Sequence, residues 1–350
     1  MPRPLSSSFA KPIALAAAAL CLSYAPARAQ SVNLYGLIDV SAGQFQDAGA
    51  PKLKRVESGK MTTSYFGFSG KEELSSTLKA KFAIEGFFGA DTGASGRFGG
   101  DVFWARSAYV GLEGDFGSTV LGRTTNQYFV STLIFNAFGD SFGYSPSIRQ
   151  VLTPKAAMLP FLGDTGWSNS LLYSSPKLGG LSLNLQGALG EGSSTTTGHS
   201  FGGNAIYFGG PFAATVAYQR VKHGVFGTLP ALITTGFKYQ ESATVGASYD
   251  LTVVKFFAQY NLVKTEAATD TETHYFGLGA SAPVGPGKVL AQYGQATAEY
   301  PTADVENKTL TLGYDYLLSK RTDVYAVFMH DKLTGAANGN TFVVGLRHRF

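Results

Sequence analysis

Apolar and polar residues alternate with a period of two along most of the chain after residue 30. In 181–189, Leu181, Leu183, Leu185 and Leu189 share one face, while Ser182, Asn184 and Gln186 share the other. The same alternation runs through 242–251, 254–262, 288–294 and 309–318. Successive side chains of a β-strand point to opposite faces, so each segment predicts a strand with one apolar and one polar face. The chain is therefore expected to be all-β.

The connections between the predicted strands alternate between short and long. Short turns fall at 73–75, 115–117, 176–179, 209–211, 283–286 and 319–321. Longer polar connections fall near 46–60, 89–101, 191–199, 223–238, 265–272, 299–307 and 333–340. Short turns on one rim and long loops on the other are typical of a transmembrane antiparallel β-barrel. A secreted β-sandwich is the alternative, but the dense polar face favours a barrel around a water-filled lumen.

The spacing predicts about 16 strands, an even number that places both chain ends on the short-turn rim. A barrel of that size leaves an open channel, whereas about eight strands would fill with side chains.

One stretch, 126–166, breaks the alternation. Structureless connections of about 40 residues are rare in compact domains unless they are functional. The stretch carries six aromatic residues, which are Phe129, Phe135, Phe138, Phe142, Tyr144 and Phe161. That much apolar area disfavours an excursion into water, so we expect the stretch to fold inward against the barrel wall.

Residues 1–29 have the features of a secretory signal peptide. Arg3 and Lys11 precede and flank an apolar run, 13–22, that is too short to span a membrane as a helix. Ala27 and Ala29 frame a small-x-small cleavage site before Gln30. The only cysteine, Cys21, lies in this run after Leu20, where a lipoprotein signal would need a small residue. The mature chain, 30–350, is expected to be exported and free of disulfides.

Charge and motifs narrow the functional classes. The chain has 28 Lys and Arg against 24 Asp and Glu, and residues 1–29 hold three of the basic residues and no acidic one. The mature net charge of +1 argues against a nucleic-acid partner. The histidines are not at metal-ligand spacing, and the glycine-rich stretch 93–100 fits no nucleotide-binding pattern. We therefore predict no cofactor, no metal and no catalytic site.

Both ends of the mature chain carry recognisable motifs. The first strand reads SVNLYGLID over 31–39, and the last reads FVVGLRHRF over 342–350. AYVGL at 108–112, GDFG at 114–117 and LGR at 121–123 lie between them. The chain resembles the Gram-negative general porins of the β-proteobacterial type, including neisserial and Burkholderia-type porins.

This resemblance implies a sixteen-stranded homotrimeric channel in the outer membrane, embedded among lipid and lipopolysaccharide. It implies that the third long loop, 126–166, folds into the lumen as a constriction loop. It also implies that Phe350, as the terminal residue of the last strand, is read by the outer-membrane assembly machinery.

The charged residues expected to line the constriction come from the wall and from the loop. Passive channels select by width and by charge at the constriction. Arg123 occupies the position of a wall arginine in the family, and Gly139-Asp140 matches the family motif at the loop tip, with Asn136 replacing an acid. The predicted constriction set comprises Lys71, Lys79, Lys81, Glu85, Arg123, Asp140, Arg149 and Asp164. Arg106 has the parity of Ala108 and Val110 and would face lipid unless a bulge intervenes.

The family's arginines at the positions of Tyr65, Ser69 and Gly166 are missing here. We therefore expect weak selectivity with a slight anion preference. One alternative is a substrate-specific channel for sugars or small carboxylates that uses the loop's aromatic side chains as a stacking surface. Another is an outer-membrane enzyme or adhesin, which the lack of a nucleophile–base constellation and the short outer loops disfavour.

Overall fold

The structure, a computed structural model, describes residues 31–155, 157–190, 198–222, 236–300 and 303–350. The predicted signal peptide and parts of four predicted loops, 126–166, 191–199, 223–238 and 299–307, lie outside the described residues. Within them, β-strands dominate. Their bounds are β1 Ser31–Phe45, β2 Leu53–Ser58, β3 Tyr65–Glu73, β4 Leu78–Phe87, β5 Ser107–Gly114, β6 Gly117–Thr125, β7 Gly166–Ser174, β8 Leu181–Ala188, β9 Ser200–Gly209, β10 Phe212–Val221, β11 Tyr239–Asp250, β12 Lys255–Glu266, β13 Thr271–Val284, β14 Gly287–Glu299, β15 Val305–Leu317, β16 Thr322–Leu333 and β17 Gly339–Arg349.

The strands form one antiparallel sheet that closes on itself. From β3 onward consecutive strands pair with each other, and β1 pairs with β17 from Leu37 opposite Arg349 to Gln44 opposite Phe342. The last residue extends this seam, because Phe350 and Gly36 exchange two backbone hydrogen bonds at 3.1 and 3.2 Å. The predicted all-β barrel is confirmed.

Seventeen described strands occupy sixteen places in the wall. β2 and β3 both pair with β1. β2 pairs with the second half of β1 and β3 with the first half, so β2 and β3 together form one wall strand that is interrupted at 59–64. The prediction of a continuous polar loop over 46–60 is therefore wrong in its second half. The strand was missed because 53–58 has no regular alternation.

Side-chain exposure is inverted relative to a water-soluble protein. Val216 and Val245, on the outward face, are each 52% exposed, whereas Gln219 and Thr244, on the inward face, are buried. Apolar side chains outside and polar ones inside suit a wall with lipid on one side and a hydrated lumen on the other. Because the sheet closes into a barrel, every wall strand has a hydrogen-bonding partner on both sides, as backbone groups in the apolar interior of a membrane require.

Short turns gather on one rim, as predicted, and both the start of β1 and the end of β17 lie there. The predicted segments 254–262 and 288–294 are only parts of the strands β12 and β14. Both strands continue toward the long-loop rim, where charged residues such as Lys264 and Glu266 replace the apolar outward face. The apolar–polar alternation in the sequence ends there because the outward-facing side chains near the long-loop rim are polar or charged.

Helices are few. α1, Gln127–Ile134, and a π-helical turn, Ile148–Leu152, both lie in the long loop after β6. No helix in the described part of the chain is long and apolar enough to cross a membrane.

Candidate pore constriction

The loop between β6 and β7 begins with α1, whose N-terminus is capped by Asn126. The Asn126 side-chain oxygen accepts hydrogen bonds from the backbone N–H groups of Tyr128 and Phe129 at 2.7 and 3.2 Å. α1 then contacts inward-facing wall residues: the Ser131 hydroxyl is 2.8 Å from the hydroxyl of Thr215 on β10. The helix therefore lies inside the barrel.

Apolar side chains hold the loop against the wall. Phe135, Phe138, Tyr144 and Phe161 are buried, and Phe138 and Tyr144 pack with wall residues that include Tyr325. A glycine in the wall leaves room for one of these rings, because a Cβ at Gly246 on β11 would lie 2.9 Å from Cβ of Phe135. The buried rings offer no stacking surface to the lumen, which removes most of the structural basis for the substrate-specific alternative.

The loop tip reaches the interruption between β2 and β3. Gly143 N–H and the Ser141 hydroxyl donate to the Lys60 carbonyl at 2.9 and 2.7 Å. The Tyr144 hydroxyl is 3.0 Å from that of Ser41 on β1. The break in the wall strand thus exposes a backbone carbonyl that docks the tip.

The path of the loop locates the open passage. Its hydrogen bonds in the described part of the chain go to β6 to β16, to β1, to the break at 59–64 and to Arg97 of the outer loop, and none goes to β3, β4 or β5. The free lumen therefore lies between the loop and the wall of β3–β5.

Glu85, on β4, is one of the predicted residues that lie on that wall. Both of its carboxylate oxygens accept hydrogen bonds from Nη1 of Arg106 at 2.8 Å, and the Tyr35 hydroxyl donates to it at 2.9 Å. The Arg106 guanidinium also lies 4.1 Å from the ring centre of Tyr65, a cation–π contact.

The expectation that Arg106 faces lipid is wrong. β5 begins at Ser107, so Arg106 precedes the strand. The direction of its side chain is therefore not fixed by the alternation of inward and outward positions within the strand.

Arg123 and Asp164, both predicted, are brought together. Arg123 Nη2 donates to Asp164 at 3.0 Å, and Arg97 donates to the other oxygen at 2.8 Å. Asp164 is 3% exposed and Arg123 is 8% exposed, so neither presents a free charge to water.

The Arg123 backbone pairs with Ala108, on the outward face, next to a register shift after Gly122. Its side chain turns to the rim, where its Nε donates to the Ala105 carbonyl.

A second carboxylate completes this group. Asp101 accepts hydrogen bonds from Nε and Nη2 of Arg97 at 2.8 and 3.0 Å. Burial alone would raise the pKa of Asp101, but the hydrogen bonds from Arg97 outweigh it and hold this pKa below its usual value. The two arginines and two aspartates join the outer loop 88–106, the wall and the end of the long loop. Arg97 was not predicted.

Asp140 lies at the loop tip, next to the break in the wall. The Thr62 hydroxyl donates to it at 3.3 Å, and Thr62 also accepts from Nη1 of Arg347 at 2.9 Å. Burial raises the pKa of Asp140, an effect opposed by Thr62, Arg106 and Arg347.

Asn136, which replaces an acid of the family motif, organises the tip from within. Its side-chain nitrogen donates to the carbonyls of Thr132, Leu133 and Gly139 at 2.9, 3.2 and 2.9 Å. Its oxygen accepts from Phe138 N–H and the Ser145 hydroxyl. A carboxylate could not make the three donations, so the amide fits this fold of the tip.

The other loop cations are also paired. Arg149 donates to Asp47, beyond the end of β1, at 2.7 Å and to the Gly143 carbonyl at 3.1 Å. Lys155 forms an ion pair with the buried Asp331 on β16. Both cations tie the returning half of the loop to the barrel.

The predicted lysines on β3 and β4 lie near the short-turn rim. Lys71 and Lys81 are direct cross-strand partners, and both reach Glu113 on β5, at 2.8 and 3.2 Å. Lys79 lies 3.5 Å from Glu73. The structure therefore separates these lysines from the residues around the loop tip.

Known proteins share this architecture. The family model for Gram-negative porins matches residues 14–336. Outer membrane porin protein 32 of Delftia acidovorans is 31% identical over 336 residues, covering 89% of this chain and 86% of the relative. A major outer membrane protein P.IB of Neisseria meningitidis is 27% identical over 355 residues, covering 95% and 98%.

A solved structure, the anion-selective porin from Comamonas acidovorans, superposes with a TM-score of 0.75 at 27% identity, covering 92% of this chain and all of that one. Porins are passive channels rather than enzymes. The chain therefore belongs to the Gram-negative porin family and forms a channel across the outer membrane.

Proposed function

We propose that this porin is a general diffusion channel for small hydrophilic solutes and ions, with weak charge selectivity and a slight preference for anions. The observation that carries the proposal is the pairing of charges around the loop. Glu85 binds Arg106, Asp164 binds Arg123 and Asp47 binds Arg149, so each pair sets one cation against one carboxylate. A constriction of neutralised pairs discriminates weakly between ions.

The neck of the channel, in this proposal, lies between the loop tip and the wall of β3–β5. Arg106 and Glu85 line it from the wall, and Asp140 lies on the loop side. Arg123 and Asp164, which were predicted to line it, hold the loop in place instead. The anion preference comes from the lysines of β3 and β4, where Lys71 and Lys81 share one carboxylate. The anion-selective relative supports this sign.

Two measurements test the proposal. A reversal potential across a salt gradient in a planar bilayer should show a small anion preference, and a clear cation preference would contradict it. Liposome swelling with solutes of graded size should fall smoothly with size. Saturation by one sugar or carboxylate would favour the substrate-specific alternative, for which Phe142 is the one loop aromatic side chain left partly exposed.

The assembly is proposed on the same family relationship. In this proposal the chain forms a homotrimer among outer-membrane lipid and lipopolysaccharide, is exported by the N-terminal signal peptide, 1–29, and is recognised by the assembly machinery through Phe350. Stepwise closure of conductance in three equal steps would support the trimer, and single-step closure would contradict it.

A further inference from the structure

In the described strands, the exposed cations of the inward face lie at one end of the barrel, apart from Arg55, which forms an ion pair with Glu57. Lys71 and Lys79 are 58% and 42% exposed, and Lys288 and Arg349, across the barrel, are 53% and 44% exposed. Lys255 on β12 packs over the ring of Phe257 on the same face. Each of these residues lies within a few positions of the short-turn end of its strand.

The register shows that these side chains point inward. Lys288 pairs with Asp315, and Arg349 pairs with Leu37, both on the buried inner face. The neighbours in sequence, such as Val289, are exposed on the outward face. The cations therefore surround the lumen at its short-turn mouth, on both sides of the barrel.

The carboxylates at this mouth are fewer than the cations. At this mouth, the inward-facing carboxylates among the described residues are Glu73, Glu113, Asp250, Asp315 and Asp323. The cations are Lys71, Lys79, Lys81, Lys255, Lys288, Arg347 and Arg349. Seven positive charges against five negative ones leave an excess of +2, whereas Arg106 with Glu85 and Arg149 with Asp47 each set one cation against one carboxylate.

We propose that this basic ring at the short-turn mouth, rather than the neck, sets the anion preference and makes the channel rectify. The inference rests on the proposed function and names the residues that determine its selectivity. A positive ring at one mouth raises the local concentration of anions and excludes cations there. Because the neck has no matching excess, the pore is electrostatically asymmetric along its axis.

The asymmetry fixes the direction of rectification. Anions that enter through the ring pass from an anion-rich zone into a neutral one and accumulate in the lumen, which raises the conductance. The opposite polarity depletes the same region. The current should therefore be larger when anions are driven in through the short-turn rim. The effect should fade with salt, because the Debye length shrinks from about 30 Å at 0.01 M to about 3 Å at 1 M.

The experiment uses the full-length mature porin in planar bilayers. Orientation is read from Ala337→Cys, in the exposed loop after β16, by one-sided biotinylation and streptavidin addition, because the mature chain has no other cysteine. The ring variant is Lys71→Gln/Lys288→Gln/Arg349→Gln. The matched control is Lys264→Gln/Lys308→Gln/Lys332→Gln. It removes the same charge from outward-facing side chains near the long-loop rim.

We expect the parent to rectify in low salt but not at 1 M. The ring variant should lose rectification and lower the anion-to-cation permeability ratio roughly twofold, and the control should do neither. The single variants Lys71→Gln and Lys288→Gln should give partial effects and serve where the triple variant does not assemble.

An anion-preferring parent whose rectification and permeability ratio are unchanged in the ring variant, or changed equally in the control, would overturn the ring and leave the proposed function standing. A cation-preferring parent would instead overturn the proposed function itself.

Discussion

Arg123 and Asp164 form a buried ion pair, with 3.0 Å between Nη2 and the carboxylate oxygen, that closes the base of the long loop. Arg123 lies two residues before the end of β6, from which the loop leaves, and Asp164 lies two residues before β7, to which the loop returns. Removal of one member of a buried pair leaves an uncompensated charge, which costs about 3–5 kcal/mol. The pair therefore sets how firmly the loop is anchored.

Arg123→Ala should loosen the loop without reversing the sign of selectivity. Asp164 would retain only Arg97 as a charged partner, so the loop end should fluctuate and single-channel records should show more frequent closures. Arg321→Ala, on an exposed short turn, is the control and should behave as the parent. A large change in reversal potential with quiet records would place Arg123 in the passage instead.

Glu85 and Arg106 should shift selectivity in opposite directions. Glu85→Gln leaves the Arg106 guanidinium without its carboxylate and should raise the anion-to-cation permeability ratio, roughly twofold. Arg106→Gln leaves Glu85 uncompensated and should lower the ratio by a similar factor. The reversal potential measures both. Equal ratios in the two variants would show that this pair does not line the neck.

Asp140 should make loop docking more stable in acid. Its pKa is raised by burial above the usual 3.8, so the docked tip is favoured while the carboxyl is protonated, and this advantage is lost as the pH rises through the raised pKa. Current fluctuations should therefore decrease as the pH falls toward 3.8. Asp140→Asn should show few current fluctuations at neutral pH and no change of these fluctuations with pH. If the fluctuations still change with pH in this variant, another titrating group is responsible.

Asn136→Asp should disorganise the loop tip, although it restores the acid typical of the family. The carboxylate cannot donate to the carbonyls of Thr132, Leu133 and Gly139, and each buried group left without a partner costs roughly 1–3 kcal/mol. We expect noisier channels and faster protease cleavage within the loop. Asn340→Asp, on the outward face, is the control. A variant as quiet and as resistant as the parent would show that the tip does not depend on the amide.

Deletion of 136–145 should widen the passage and flatten its selectivity. The deletion removes Phe138 and Tyr144, which fill the space against the wall, and with them the contacts to Lys60. Unitary conductance should rise, and larger solutes should enter liposomes faster. Deletion of the exposed turn 334–337 between β16 and β17 is the control. Unchanged conductance after deletion of the tip would contradict its position in the lumen.

The sequence predicted the barrel well because period-two alternation and turn length reflect a local constraint. Each wall strand must present an apolar face to lipid, so apolar and polar residues alternate along the sequence of that strand. It failed at β2, where the regular alternation is lost, and at Arg106, where one residue separates a strand from a loop.

The site depended on contacts that no local pattern encodes. The sequence identified Arg123 and Asp164 as charged residues near the loop but could not show that they neutralise each other across 41 positions. It placed Lys71, Lys79 and Lys81 with the constriction, although the register sets them near the short-turn rim.

The sequence by itself thus determined the barrel, its topology and the one loop that interrupts it, because burial on one side of each strand leaves a periodic record. Only the tertiary structure decided which charges are paired and which remain free, because closure of the barrel brings together side chains that are far apart in the chain.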